Sequence, residues 1–167
     1  TLEISGDSLV TSTATFAAGV TTVNLSQTAE LSISAADAEV LASVTGTGCS
    51  VTVTALEDTI DADLSNLAAG LLVTAELDST DDVALSTDLS RVDTLNITGN
   101  GTVTSAATLN AGLTIDVGVD ATLSIDADDA ALATAIQGAG LVTVTALAAT
   151  LDADLSGVTA DVKVRLA

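Results

Sequence analysis

The chain has no histidine, tyrosine, tryptophan, methionine or proline, one cysteine (Cys49) and one aromatic residue, Phe16. Without histidine the Ser-His-Asp and Cys-His arrangements that activate a nucleophile are excluded. A lone cysteine excludes an internal disulfide framework and reads as a small buried apolar residue. Cations are nearly missing as well: Arg91, Lys163 and Arg165 stand against 23 acidic residues, for a formal net charge of −20. Phosphoryl transfer, nucleic-acid binding and attraction to an anionic membrane all rest on Lys and Arg, so nucleic acid is not an expected partner. No apolar run approaches the roughly 20 residues that span a bilayer, so no membrane insertion is expected, and no signal-peptide pattern opens the chain at Thr1. The missing initiator Met fits a processed protein or an excised piece.

What is abundant is Ala, Val, Leu and Ile, which supply nearly all of a 48% hydrophobic content. Wide gaps between packed layers are normally filled by aromatic rings, so an aliphatic core of this kind is thin and locally regular.

The chain repeats itself. Residues 51–65, "VTVTALEDTIDADLS", return as "VTVTALAATLDADLS" at 142–156. "LEISGDSLVTSTATFAAGVTTVNL" from Leu2 aligns with "LNITGNGTVTSAATLNAGLTIDV" from Leu95, pairing Gly6 with Gly99 and Gly19 with Gly112. "AELSISAADAEVLASVTGTG" from Ala29 matches "ATLSIDADDAALATAIQGAG" from Ala121, with a one-residue slip beside Cys49, where the second copy has Leu141. Two copies of a unit about 92 residues long are present, 1–94 (including an acidic joining segment, 76–94) and 95–167. The second copy stops at Leu166 and Ala167, where the first continues, which predicts a C-terminally truncated unit of a longer tandem array.

Short alternating runs recur every ten or so residues: "LSIS", "VTVTAL", "IDADLS", "LLVTAEL", "VALS", "LNIT", "TVTS" and "LTIDV". Period-two alternation predicts strands, with Ile60, Ala62 and Leu64 inward and Asp61, Asp63 and Ser65 outward. One segment per unit breaks the rhythm. Ser34 with Asp37, then Val40, Leu41, Val44 and a stop at Gly46, predicts a short capped helix. Asp126, Asp129, Leu132, Ala133, Ile136 and Gly138 repeat it. The fold expected is all-β: a parallel β-solenoid-like repeat rod with one short helix per unit. Tandem antiparallel β-sandwich domains are the alternative, with Asn100-Gly101 as a tight hairpin, but a sandwich core usually carries large aromatics.

Paired carboxylates are the only candidate chemistry. Asp61 with Asp63 and Asp152 with Asp154 would lie about 7 Å apart on one strand face, and Asp78, Asp81, Asp82 and Asp88 crowd the joining segment. Calcium, which takes six to eight oxygen ligands, is the candidate cofactor for these positions. The other reading is a solvated acidic face, since the EF-hand pattern and the calcium nonapeptide are missing. Two carboxylates also serve glycoside hydrolysis, but no Trp or Tyr offers a sugar platform and the pairs recur with the repeat, so no enzyme is expected. Thr52 with Thr54 and Thr143 with Thr145 form Thr-x-Thr pairs of the type ice-binding solenoids stack, though strand propensity explains them equally. Asn24, Asn96 and Asn100 each open an N-x-Ser/Thr triplet of the kind that arises by chance in such a composition.

"LSISAADAEVLASVTGTG" followed by "VTVTALEDTIDADLS" resembles the tandem β-strand repeats of very large bacterial surface proteins of adhesin and S-layer type, and the resemblance covers nearly the whole chain. It implies an extracellular, cell-surface structural or adhesive array, often stabilised by calcium and often exported by a one-step secretion system. Scarcity of oxidisable side chains is consistent with life outside the cell. The function expected is that of a non-enzymatic spacer or lattice component of a surface layer, adhesin or filament, whose partners are neighbouring copies or adjacent repeats and divalent cations. A ligand-binding module for ice or extracellular polysaccharide is the alternative.

Overall fold

The computed structural model describes residues 1–7, 9–11, 16, 20–26, 28–147 and 152–164, with the backbone alone at 162–164. Gly19, Arg165, Leu166 and Ala167, which entered the repeat comparison and the charge count, lie outside the described residues.

In chain order the first copy forms β1 (Leu2–Ser5), β2 (Leu9–Thr11), β3 (Thr22–Ser26), β4 (Glu30–Ser34), helix α1 (Ala35–Val40), β5 (Ser43–Thr45), β6 (Ser50–Thr54) and a 3-10 turn at Leu56–Asp58. The joining segment holds β7 (Leu72–Ser79), β8 (Val83–Leu85) and β9 (Asp88–Leu89). The second copy follows with β10 (Thr94–Gly99), β11 (Thr102–Ser105), β12 (Thr108–Leu109), β13 (Thr114–Val117), β14 (Thr122–Asp126), α2 (Ala127–Leu132), β15 (Ala135–Gly138), β16 (Leu141–Thr145) and β17 (Asp161–Val164).

Every ladder between these strands is parallel. Parallel neighbours need a crossover rather than a hairpin, and here the crossover is one turn of a coil. Leu2 lies opposite Val23 and Val23 opposite Val44, 21 residues on each time; Leu95 lies opposite Ile115 after 20. The antiparallel sandwich is thereby overturned. Asn100-Gly101 is no hairpin: it is a corner that carries the chain from β10, in one sheet, to β11, in another.

Aliphatic alternation becomes stacked columns. Ile33, Val53, Ala75, Leu95, Ile115 and Ile136 succeed one another in adjacent strands, each no more than 2% exposed. A like residue above and below fills the same narrow volume at every level, which is why branched aliphatics suffice and rings are absent. Corners need glycine where coils come closest. Gly99 has φ +86°, and a Cβ there would lie within contact of the Ser79 carbonyl in the preceding coil.

The two copies are not in phase with the coil. β1, β3 and β5 form a three-stranded sheet, yet their counterparts β10, β13 and β15 belong to the seven-stranded sheet that also holds β2, β4, β6 and β7. The counterparts of β2, β4 and β6, which are β11, β14 and β16, pass in turn to a five-stranded sheet. The four coils of a unit take 21, 20, 22 and 20 residues, 83 in all, and the remaining 9 or so are close to the step of 7 from Leu2 to Leu9, one strand to the next. Each unit is therefore turned by one sheet position relative to the last. The long sheet runs through both copies, and its six intervals of about 4.8 Å extend it about 30 Å along the stack.

The helices sit where expected but are shorter. Ser34 and Asp126 are the N-caps, accepting from the amides of Asp37 and Asp129, and α1 ends at Val40 with Leu41 as its C-cap. Val44 and Ile136, expected on the helical face, are strand residues of the core. "IDADLS" is likewise no strand. It is a turn with a single bridge from Asp63 to Asp88, although Ala62 and Leu64 are buried and Asp61 and Asp63 exposed as the alternation predicts. Cys49 is buried, its thiol 3.8 Å from the Thr47 carbonyl.

Candidate functional site

The carboxylates singled out in the sequence are distributed among corner turns. Asp63 Oδ1 accepts from the Ser65 amide at 2.9 Å and Asp154 Oδ1 from the Ser156 amide at 3.0 Å. Asp88 makes the same turn with Ser90 at 2.9 Å. In each, a backbone bond then closes the corner, from Leu67 to Leu64, Val92 to Leu89 and Val158 to Leu155. "Asp-Leu-Ser" is thus a corner signature in which the short acidic side chain caps its own turn. Hydrogen bonds from the Ser65 hydroxyl and amide hold the Asp63 carboxyl below its ordinary range; those from the Ser156 amide and hydroxyl do so for Asp154.

In the joining segment Asp82 also accepts through its carboxylate, from the next coil, whereas Asp78 and Asp81 take part through their backbone amides. The Asp78 amide donates to Glu57 Oε2 at 3.0 Å, the Asp81 amide to Ser79 Oγ at 3.3 Å, and Asp82 Oδ1 accepts from the Thr102 amide at 2.9 Å. Asp61 and Asp152 are exposed on turns. A calcium cage needs several oxygens converging on one point. Among the described residues no three His, Cys, Asp or Glu side chains group as metal ligands would, and three of the seven proposed carboxylates, those of Asp63, Asp82 and Asp154, accept from a backbone amide.

At α2, burial and then the charges of Asp126 and Asp128 push the Asp129 carboxyl above its ordinary range. A shallow depression of about 490 Å³ is lined by Val119, Thr122, Gly140 and Leu141 with Asp120 and Asp161 as its titratable groups.

Other polar features were missed by pattern reading because they repeat across coils. Thr11, Ser32, Thr52, Thr74, Thr94 and Thr114 form one unbroken outward column of hydroxyls on the long sheet. The neighbouring column is mixed: Glu76, Asn96, Asp116 and Gln137 stand opposite one another in turn. Thr52 and Thr143, which hold matching places in the two copies, lie on different sheets. On the three-stranded sheet Thr45 donates to Asn24 at 2.7 Å and Asn24 to Glu3 at 2.6 Å. The Asp93 carboxylate accepts from the Val73 amide at 2.8 Å, and Asn66 caps α1 by donating to the carbonyls of Ala38 and Leu41 at 2.6 Å each. A signal for these existed, a polar residue returning every 20 to 22 positions, but it becomes visible only once the coil length is known. No helix among the described residues is long and apolar enough to cross a membrane. No known protein family, curated protein or solved structure matches the chain.

Proposed function

We propose that the chain is a non-enzymatic structural segment of an extracellular bacterial surface layer, adhesin or filament, acting as a spacer or lattice component. The observation that carries this reading is the seven-stranded parallel sheet that passes through both copies. A stack of this kind extends by adding coils, since each repeat contacts only its neighbours. Load along the stack is shared by ladders that run from coil to coil. Its acidic exterior keeps it dispersed by self-repulsion, and divalent cations, calcium included, act in this reading by screening. Immunogold labelling of intact source cells tests the assignment. Label on the surface is expected; label confined to the cytoplasm refutes it.

A second reading, a binding face for ice or extracellular polysaccharide, is favoured by the hydroxyl column alone. Beyond Ser34 and Thr54, which flank Ser32 and Thr52, the column is a single file, flanked by Glu76 and Asp116 rather than by a second row of threonines. Thermal hysteresis and a cellulose or chitin pull-down test it, and activity in either, abolished by Thr74→Asp with Thr94→Asp, would promote this reading over the first.

A further inference from the structure

The internal repeat shows the same surface in two states, once covered and once open. In the second copy β10 rests on β7, with Leu95 opposite Ala75 and Ile97 opposite Leu77, and β11 rests on β8, with Val103 opposite Val83. Leu95, Ile97 and Val103 are 2%, 0% and 1% exposed. Their counterparts in the first copy are Leu2, Ile4 and Val10, on β1 and β2, the terminal strands of their sheets. Leu2 and Val10 are 37% and 36% exposed and Leu9 is 61% exposed, while Ile4, at 8%, is already buried. Gly6 repeats Gly99, with φ +96° against +86°. Where the Ser79 carbonyl closes on Gly99, nothing lies within 4 Å of a Cβ built at Gly6. The open end thus carries the apolar pattern and the corner glycine of a coil-to-coil joint.

We infer that the β1–β2 end is a docking surface for a coil of the β7–β8 type from another repeat unit, added in parallel with the register that β7 and β8 keep on β10 and β11. The inference rests on the structural-array reading and names the partner of its open end. The occupant follows from continuity with the joint already present: Asp93 runs into Thr94-Leu95 as it would run into Thr1-Leu2. In this register Leu2 and Ile4 meet the counterparts of Ala75 and Leu77, and Glu3 meets the counterpart of Glu76. Two carboxylates directly opposite one another repel, where β10 places the neutral Asn96. An arriving unit is turned by one sheet position, as the second copy is relative to the first, so successive joints carry a surface feature from sheet to sheet around the array.

The test places a second copy of Leu72–Asp93 directly ahead of Thr1 in the full chain and follows amide hydrogen exchange in β1 and β2. Docking predicts exchange slowed at least tenfold at Leu2–Ser5 and Leu9–Thr11, and a larger denaturant slope because more surface is buried. Asp in place of the leucine that corresponds to Leu77, within the added segment only, should return exchange to that of the original chain. Glu3→Gln should stabilise the extended chain more than the original, which reports the register itself. Unchanged exchange in β1 and β2 with a freely exchanging extension overturns the inference, while surface labelling of cells, which does not depend on it, would still stand. Concentration-dependent protection of β1 and β2 in the unextended chain also overturns it, in favour of a second whole copy as the occupant.

Discussion

Three glycines at the corners separate two physical demands that usually coincide. Gly48 has φ +70° and open space where a Cβ would be. Gly101 has no positive φ, but its Cβ would lie within contact of the Asp81 backbone in the preceding coil. Gly99 has both constraints, φ +86° and the Ser79 carbonyl. Alanine in the left-handed region costs about 1–2 kcal/mol, offset by about 0.4–1 kcal/mol from the less flexible unfolded chain, so Gly48→Ala should cost about 1 kcal/mol. At Gly101 the obstacle is backbone, which no rotamer change moves. Forcing the coils apart costs about 1–3 kcal/mol, for a net loss of about 1–2 kcal/mol after the same offset. Gly99→Ala should combine the two and cost about 2–4 kcal/mol. Urea unfolding followed by circular dichroism reads these as midpoint shifts at constant slope. A stabilising Gly101→Ala, or a Gly99→Ala no worse than Gly48→Ala, would show that the coils do not approach as closely as the parallel stack requires.

Ala55 and Ala146, at the same place in the two copies, have φ +55° and +54°, so glycine at either should raise stability by up to about 1 kcal/mol, read as a higher urea midpoint. Ile97→Ala empties a fully buried position between β7 and β13 and should cost about 2–5 kcal/mol in the same assay; a loss well under 1 kcal/mol would mean the aliphatic column is not close-packed. Asp63→Ala should lose stability at neutral pH. The folded pKa is depressed, so the difference from the original chain is fully present above the ordinary carboxylate range and disappears as pH falls through the lower folded value. Asp129→Asn has the opposite sign. Its folded pKa is raised by burial and by Asp126 and Asp128, so the substitution should stabilise modestly at pH 7, with the gain gone once pH has fallen below the ordinary carboxylate range. Finally, with a formal charge of −20, sodium, magnesium and calcium salts matched in ionic strength should raise the melting temperature alike; a rise specific to calcium would mean that the acidic side chains bind it rather than being screened by it.

Local chemistry was legible in the sequence because it involves residues two to four apart. Ser34 and Asp126 read as N-caps from their spacing to Asp37 and Asp129, and the structure places both there. The alternation of "VTVT" and "LNIT" specified which side chains point inward, and the shortage of rings indicated a narrow core. The acidic pairs were misassigned to a strand because "IDADLS" alternates as a strand does. Only the folded chain shows that Asp63 and Asp154 cap corners.

Other features belong to no local stretch. Which strand lies on which depends on the sum of all strand and corner lengths around a coil, and the corners absorb the difference between coils of 20, 21 and 22 residues so that the columns stay aligned. The hydroxyl file from Thr11 to Thr114 and the turn of one sheet position between copies arise from that sum. The sequence determined the composition of each layer, because alternation and capping are set by neighbours along the chain. The tertiary structure alone decided the register between layers, because coil-to-coil hydrogen bonds join residues about 20 apart and close only when the whole circuit returns the chain to its start.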